Sequence, residues 1–135
     1  MAEMKSNLDG LFKTDKKQES EGIWFELLDG VKFKLKRFGG MNNTSAKAAV
    51  AKYHKPYAAV IASGSLPDEK ALEISVKVFV EGCMLDWEGV EIDGKKVDFS
   101  FDDAVKLLVS LPELAQALIE HASDKDNYRV ELGNS

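Results

Sequence analysis

The clearest structural signal in the sequence is GIWFELLDGVKFKLKRF, at residues 22–38. Its centre is Asp29-Gly30, a pair that accepts positive φ at both central positions of a two-residue hairpin turn. After the turn, apolar side chains alternate with lysines from Val31 to Lys36. This alternation places one face of the strand against a core and the other in solvent. The stretch therefore predicts a β-hairpin.

A helical pattern follows the hairpin. The polar residues at 42–45 are N-cap candidates for a helix whose apolar spacing runs to about Ala62. Pro56 lies inside that pattern and removes a backbone donor. We therefore expect the helix to kink or restart near His54-Lys55.

The last third of the chain predicts a loop and two further helices. Residues 86–99 are expected to form the loop, with a weak turn at Asp93-Gly94. Ser100, with an acidic residue three positions later, predicts the start of one helix. The sequence SLPE at residues 110–113 predicts the start of the last helix.

Residues 67–85 permit two assignments. The alternation of β-branched residues from Ile74 to Val80 favours a strand. A helical wheel instead gives two apolar stripes and a narrow polar wedge, and the length and the Ser65–Asp68 cap favour a helix. A helix with two apolar sides is either central in the core, which is the simpler interpretation, or lends one stripe to a partner. Trp87 leaves a similar choice between a buried anchor and an interface residue, with the anchor favoured.

These elements predict an α+β fold, a mainly helical single domain of about four helices with an N-terminal β-hairpin. We expect the globular domain at residues 22–123, a flexible N-terminal arm at 1–21 and a polar C-terminal tail at 124–135. A chain of 135 residues can bury one adequate core without disulfides or metal. Cys83 is the only cysteine, so a reducing cytoplasm is the expected compartment. The sequence contains no candidate membrane span or secretory signal.

Charge is distributed unevenly along the chain. Residues 1–67 carry 11 basic and 7 acidic side chains, whereas residues 68–135 carry 7 basic and 16 acidic ones. The overall charge of −5 argues against nucleic-acid binding, and lysines that alternate along a strand are typical of a solvated sheet face. The bipolar layout would suit head-to-tail self-association.

The residues that could carry chemistry are few. His54, His121 and Cys83 are the only soft metal ligands, and a zinc site usually takes three or four. Cys83 lies on the main apolar stripe of its predicted helix, where a cysteine is usually a core residue. No serine lies in a nucleophile elbow and no phosphate-binding loop is present. We therefore expect no catalytic, cofactor-binding or metal-binding residues.

The order of several short motifs supports a family resemblance. The most specific part is DWEGV at residues 86–90, followed by Asp93-Gly94 and a Ser-capped helix. The other parts are, in chain order, NLDGLFKTD at 7–15, EGIW at 21–24, RFGG at 37–40 with Asn42-Asn43, Lys55-Pro56, Leu85, FS at 99–100, LL at 107–108 with LP at 111–112, and ASD at 122–124 before Tyr128-Arg129. Over about residues 7–129 the chain resembles tail assembly chaperones of long-tailed, siphophage-type bacteriophages.

The resemblance implies a non-enzymatic protein of viral morphogenesis. Such chaperones are thought to bind the tape measure protein, a very long helical chain, and to keep it soluble while tube subunits polymerise around it. The resemblance also implies a location in the host cytoplasm, absence from the mature virion and, in many members, two products made by a programmed frameshift. Other tail proteins are further expected partners, and neither nucleic acid nor membrane is.

An amphipathic client helix would need an apolar groove on the chaperone. We expect Ile74 and Val78, or Leu114 and Leu118, to contribute to that partner-binding groove. The alternative function is a structural tail or head–tail joining subunit that is retained in the virion.

Overall fold

A three-stranded antiparallel sheet packs against one long helix, with two further helices completing the core. The computed structural model describes residues 4–129. In chain order the elements are α1 (Asp9–Phe12), α2 (Lys16–Glu21), β1 (Ile23–Leu28), β2 (Val31–Leu35), α3 (Thr44–His54), a 3-10 turn (Lys55–Tyr57), α4 (Ala58–Ala62), α5 (Asp68–Cys83), β3 (Met84–Glu88), β4 (Glu91–Ile92), β5 (Lys95–Lys96), α6 (Phe101–Ser110), α7 (Pro112–Ser123) and a second 3-10 turn (Lys125–Tyr128). The predicted α+β class is confirmed, and within residues 4–129 four helices reach ten residues or more.

The predicted hairpin is confirmed. β1 and β2 pair antiparallel around a turn in which Gly30 has φ +82°, whereas Asp29 does not have the positive φ that the sequence allowed at both central positions. The side chains of Phe33 and Leu35 are buried, as the alternation predicted. On the other face, Lys32 lies opposite both Glu26 and Glu88, and Lys34 lies opposite Trp24 and Asp86.

The prediction of a loop over residues 86–99 is wrong for its first part, because β3 pairs antiparallel with β2 and makes a sheet of order β1-β2-β3. Further along, β4 and β5 pair antiparallel around the predicted Asp93-Gly94 turn. The register shifts at Leu85, a bulge that breaks the apolar alternation by which a strand is recognised. Trp87 points inward and is buried, and its indole nitrogen donates a hydrogen bond to the carbonyl of Val97 at 2.7 Å. It is therefore the favoured buried anchor.

α5 is the central helix, so the assignment of residues 72–80 to a helix is confirmed. One of its apolar stripes, with Val76, Phe79 and Val80, packs in the main core with the sheet and with α6 and α7. The other stripe packs against α3. The two helices approach closely at Gly82, where a β-carbon would lie 2.6 Å from the Cα of Ala46.

α3 begins and ends as expected. Its N-cap is Asn43, whose side-chain oxygen accepts a hydrogen bond from the backbone of Ala46 at 2.9 Å. The side-chain nitrogen of Asn43 also donates to the carbonyls of Arg37 and Gly82, at 2.9 and 2.8 Å. One side chain therefore joins the end of β2, α3 and α5. At the other end, Pro56 lies in the 3-10 turn that separates α3 from α4.

Both segments that flank the predicted domain contact it. Glu19 of α2 is buried, and its carboxylate accepts hydrogen bonds from Thr14, from Arg37 at 2.8 Å and from Asn42 at 2.9 Å. Burial raises the pKa of Glu19, but these donors outweigh it and hold the pKa below its usual value. The domain boundary between residues 21 and 22 thus stays a prediction, and the hydrogen bonds of Glu19 to Arg37 and Asn42 cross it.

The C-terminal flank enters the core through Tyr128. Its ring is fully buried, and its hydroxyl donates a hydrogen bond to the carbonyl of Leu35 at 3.1 Å. The polar tail predicted at 124–135 and the arm at 1–21 therefore both carry anchoring residues, while residues 1–3 and 130–135 lie outside the described part. Across residues 4–129, no helix is long and apolar enough to cross a membrane.

Candidate functional site

Three exposed leucines, Leu27, Leu28 and Leu111, border one open groove, which we call the hairpin groove. It is lined by the end of β1, the start of β2, the loop after β3 and the corner between α6 and α7, and it encloses about 410 Å³. Its apolar lining consists of Leu27, Leu28, Val31, Phe33, Val90, Leu107, Leu111 and Leu114. Glu91 is the single charged residue that lines it among the described residues.

Two leucines on opposite walls of the groove are strongly exposed. Leu28 lies at the hairpin turn, opposite Val31, and is 59% exposed. Leu111 lies between α6 and α7 and is 48% exposed. Pro112 begins α7 directly after it, and its missing N–H and fixed φ suit the first position of a helix. The chain therefore turns at Leu111, which leaves the leucine at the corner.

One end of the groove depends on a close backbone approach. Gly89 has φ +76°, and it lies directly against the carbonyl oxygen of Gly30 in the hairpin turn. A side chain at position 89 would collide with that oxygen, since only glycine combines this φ with so short an approach at no steric cost. The hairpin and the loop after β3 are therefore held together at the end of the groove.

A second apolar surface lies where the chain bends at Pro56. α3 and α4 meet there in an open cleft lined by Val50, Ala51, His54, Lys55, Ala58, Ile61 and Ala62. Most of these side chains are small, and two of the seven residues are basic or titratable. The hairpin groove, with its leucines and one acidic residue, offers more apolar area to a partner helix.

The predicted groove residues divide between the interior and this site. Ile74 and Val78 are each only 4% exposed, because Ala49 of α3 packs directly on them. Leu118 is fully buried in the main core. Neither predicted pair is therefore exposed as a whole in the folded chain, since other helices cover these three residues, and the partner-binding role of the pairs stays a prediction. Leu114 is half-buried and does line the hairpin groove.

The other residues of the groove were not predicted. Alternation along β1 fails at Leu27-Leu28, where a bulge shifts the register before the turn. Two consecutive leucines next to Asp29-Gly30 were the signal that could have identified this wall. Leu111 lies before a helix-starting proline, and its exposure depends on the packing angle of α6 and α7. No pattern in one sequence encodes that angle.

The sequence offers a cysteine and two histidines as possible metal ligands or catalytic residues. Two of them pack within the fold and one is exposed. Cys83 is buried, its thiol donates to the carbonyl of Lys36 at 2.8 Å, and burial raises its pKa. His121 stacks on Phe25 with ring centroids 3.8 Å apart, and burial lowers its pKa more than the nearby Asp124 raises it. His54 is exposed at the cleft between α3 and α4. A search of residues 4–129 for three or more His, Cys, Asp or Glu side chains that could hold a metal gives no such group.

Comparison with known protein families gives a match over most of the chain. A family model described as YdaY prophage protein matches residues 41–132, a range that runs from the start of α3 through α7 and leaves out the hairpin. Neither a curated protein nor a solved structure matches the chain significantly.

Proposed function

The chain belongs to the YdaY prophage protein family and is thus phage-derived, and on this premise we propose that it is a non-enzymatic tail assembly chaperone. It binds the tape measure protein in the host cytoplasm, keeps it soluble during tail morphogenesis and is absent from the mature virion. The observation that carries the proposal is the hairpin groove, an apolar trough with exposed leucines on both walls.

The groove suits an amphipathic helix as ligand. Such a helix buries apolar residues at i, i+3, i+4 and i+7, and a leucine-lined groove accepts them without requiring a specific polar contact. A tape measure protein offers many such stretches before its tube forms. Many weak contacts of this kind along one client chain add up through multivalency.

The test is co-purification of tape measure protein with the full chain from cells that express both. We expect the wild-type chain to retain the tape measure protein in the soluble fraction. The substitutions Leu28→Asp and Leu111→Asp place a carboxylate in the groove at exposed positions, so both should abolish co-purification while the thermal unfolding midpoint stays near the wild-type value.

Val60→Asp is the matched control. Val60 is also an exposed aliphatic residue, but it lies on α4 and does not line the hairpin groove. If this variant loses the tape measure protein as Leu28→Asp does, the groove is not the binding site. If the wild-type chain itself leaves the tape measure protein insoluble, the chaperone function is wrong.

Mass spectrometry of purified particles separates the chaperone from the alternative, a structural tail or head–tail joining subunit. A chaperone is absent from the particle. Recovery of the chain in the stoichiometry of a ring would replace the proposal by the structural alternative.

A further inference from the structure

The two edges of the three-stranded sheet differ in chemistry. β3, at one edge, exposes Asp86 and Glu88, and charged side chains of this kind discourage pairing with another strand. β1, at the other edge, reads IWFELL and carries Glu26 as its single charge. No described residue outside β2 pairs with β1 through its backbone.

An unpaired apolar edge strand is a template for strand addition, because its outward N–H and C=O groups lack backbone partners. Trp24, on the same strand, is an aromatic residue that is 40% exposed. We propose that β1 pairs antiparallel with β1 of a second copy of this chain, around a twofold axis centred on Phe25.

Charge disfavours one position of the axis and favours the proposed one. In antiparallel pairing, residues directly opposite each other lie on the same face of the sheet, so a twofold axis passes beside one residue of the strand. An axis at Glu26 would bring the two equal carboxylates of the dimer face to face, which destabilises a cross-strand pair. An axis at Phe25 instead sets Glu26 opposite Trp24 of the second copy.

The neighbours of Trp24 favour this arrangement further. Lys34 lies opposite Trp24 on β2, with its ammonium 6.0 Å from the centre of the indole ring. Glu26 of one copy would thus lie in a row with its own Lys32 and with Trp24 and Lys34 of the other. In the joined sheet each Glu26 carboxylate therefore has Lys32 of its own copy on one side and, beyond Trp24, Lys34 of the other copy on the other side. The twofold axis repeats this pattern. This charge complementarity is the ground on which we assign the edge to the same strand of another copy.

The inference is independent of the proposed chaperone function, since it uses the edge of β1 and not the groove. One strand pairing buries a small area, so the dimer should be weak. Sedimentation velocity of the full chain, extended to about 500 µM for that reason, should show a concentration-dependent monomer–dimer equilibrium. A wild-type chain that is monomeric over this whole range overturns the proposal.

Two variants at one position test the register. Both Trp24→Glu and Trp24→Lys remove the indole, so the difference between them reports charge. In the proposed dimer the carboxylate introduced by Trp24→Glu would face Glu26 of the other copy, and the twofold axis would repeat this repulsion. The ammonium introduced by Trp24→Lys would instead form an ion pair with the same Glu26. We expect the dimer dissociation constant of Trp24→Glu to exceed that of Trp24→Lys by about tenfold or more.

Within one protomer the charge effect has the opposite sign, because residue 24 lies beside Lys34. Thermal unfolding of dilute samples should therefore give Trp24→Glu a midpoint at least as high as that of Trp24→Lys, which separates dimer loss from misfolding. Equal dissociation constants for the two variants, or a tighter dimer for Trp24→Glu, would contradict the register.

Discussion

Gly89 and Gly30 approach so closely that a methyl group on Gly89 would collide with the carbonyl oxygen of Gly30. The contact joins the hairpin turn to the loop after β3, and the hairpin groove ends at this junction. Both the backbone conformation and the available space therefore require glycine at position 89.

We expect Gly89→Ala to lower the free energy of unfolding by about 3 kcal/mol, since it adds a steric collision to the strain of a positive φ. Gly94→Ala is the control, because Gly94 has φ +78° but no atom within 4 Å of its missing β-carbon. That variant should lose only about 1 kcal/mol. Urea unfolding of the two proteins measures the difference, and equal losses would show that the collision relaxes away.

We expect the hydrogen bonds that Asn43 donates to contribute more to the free energy of unfolding than its role as the N-cap of α3. Aspartate is as good an N-cap as asparagine, but Asn43→Asp loses both hydrogen bonds to the carbonyls of Arg37 and Gly82 and places a carboxylate next to them. We expect a loss of about 2–3 kcal/mol in unfolding free energy. Ser100→Ala, which removes only the cap of α6, should cost about 1 kcal/mol. If the two variants unfold at the same urea concentration, the two donated bonds add nothing.

Ile74 is predicted to be a folding residue and not a binding residue. Ile74→Asp places a carboxylate between α5 and α3, where burial of an unpaired charge should cost more than about 4 kcal/mol and unfold the domain. Val50→Asp changes an exposed valine of α3 and should cost at most about 1 kcal/mol. Far-ultraviolet circular dichroism distinguishes these outcomes. A folded Ile74→Asp protein that fails to bind tape measure protein would restore Ile74 to the partner surface.

Stability should fall in mildly acidic solution because of His121. Burial lowers the pKa of this imidazole in the folded protein below its usual value of 6.5. The unfolded chain therefore binds more protons as the pH falls below 6.5, and the free energy of unfolding decreases until the pH has passed the folded-state pKa. Urea unfolding at pH 7.5 and at pH 5.5 should reveal the decrease.

His121→Phe is the matched variant, since a phenyl ring retains stacking on Phe25 and does not titrate. Its unfolding free energy should change less between these two pH values than that of the wild type. Glu19 and Glu73 also have lowered pKa values, about 2 for Glu73 because Lys77 and Lys70 donate to it. Their contribution is lost only below about pH 4.5, outside this window. An unchanged pH dependence in His121→Phe would assign the effect to another group.

Sequence patterns predicted the elements whose signals are local. The Asp29-Gly30 turn, the Asn43 cap and the break at Pro56 each depend on a few adjacent residues, and all are present where expected. β3 was missed because its pairing with β2 joins residues about fifty positions apart and its bulge hides the alternation.

The candidate site was predicted least well, for a related reason. Periodicity shows that Ile74 and Val78 share a face of α5, but it does not show which element covers that face. α3 covers it, through the close approach at Gly82 and Ala46. Leu28 and Leu111 became site residues because the hairpin and the α6–α7 corner meet in space, which is a property of the assembled fold.

The hydrogen bond from Tyr128 to the carbonyl of Leu35 has a consequence for synthesis. The tyrosine follows its acceptor by 93 residues and comes after every helix and strand of the core, so a nascent chain on the ribosome lacks it while those elements emerge. Until then the place beside Leu35 that Tyr128 fills stays vacant. Premature termination just before Tyr128 would therefore release a product with a solvent-filled gap beside Leu35, one prone to aggregate or to be degraded in the cell.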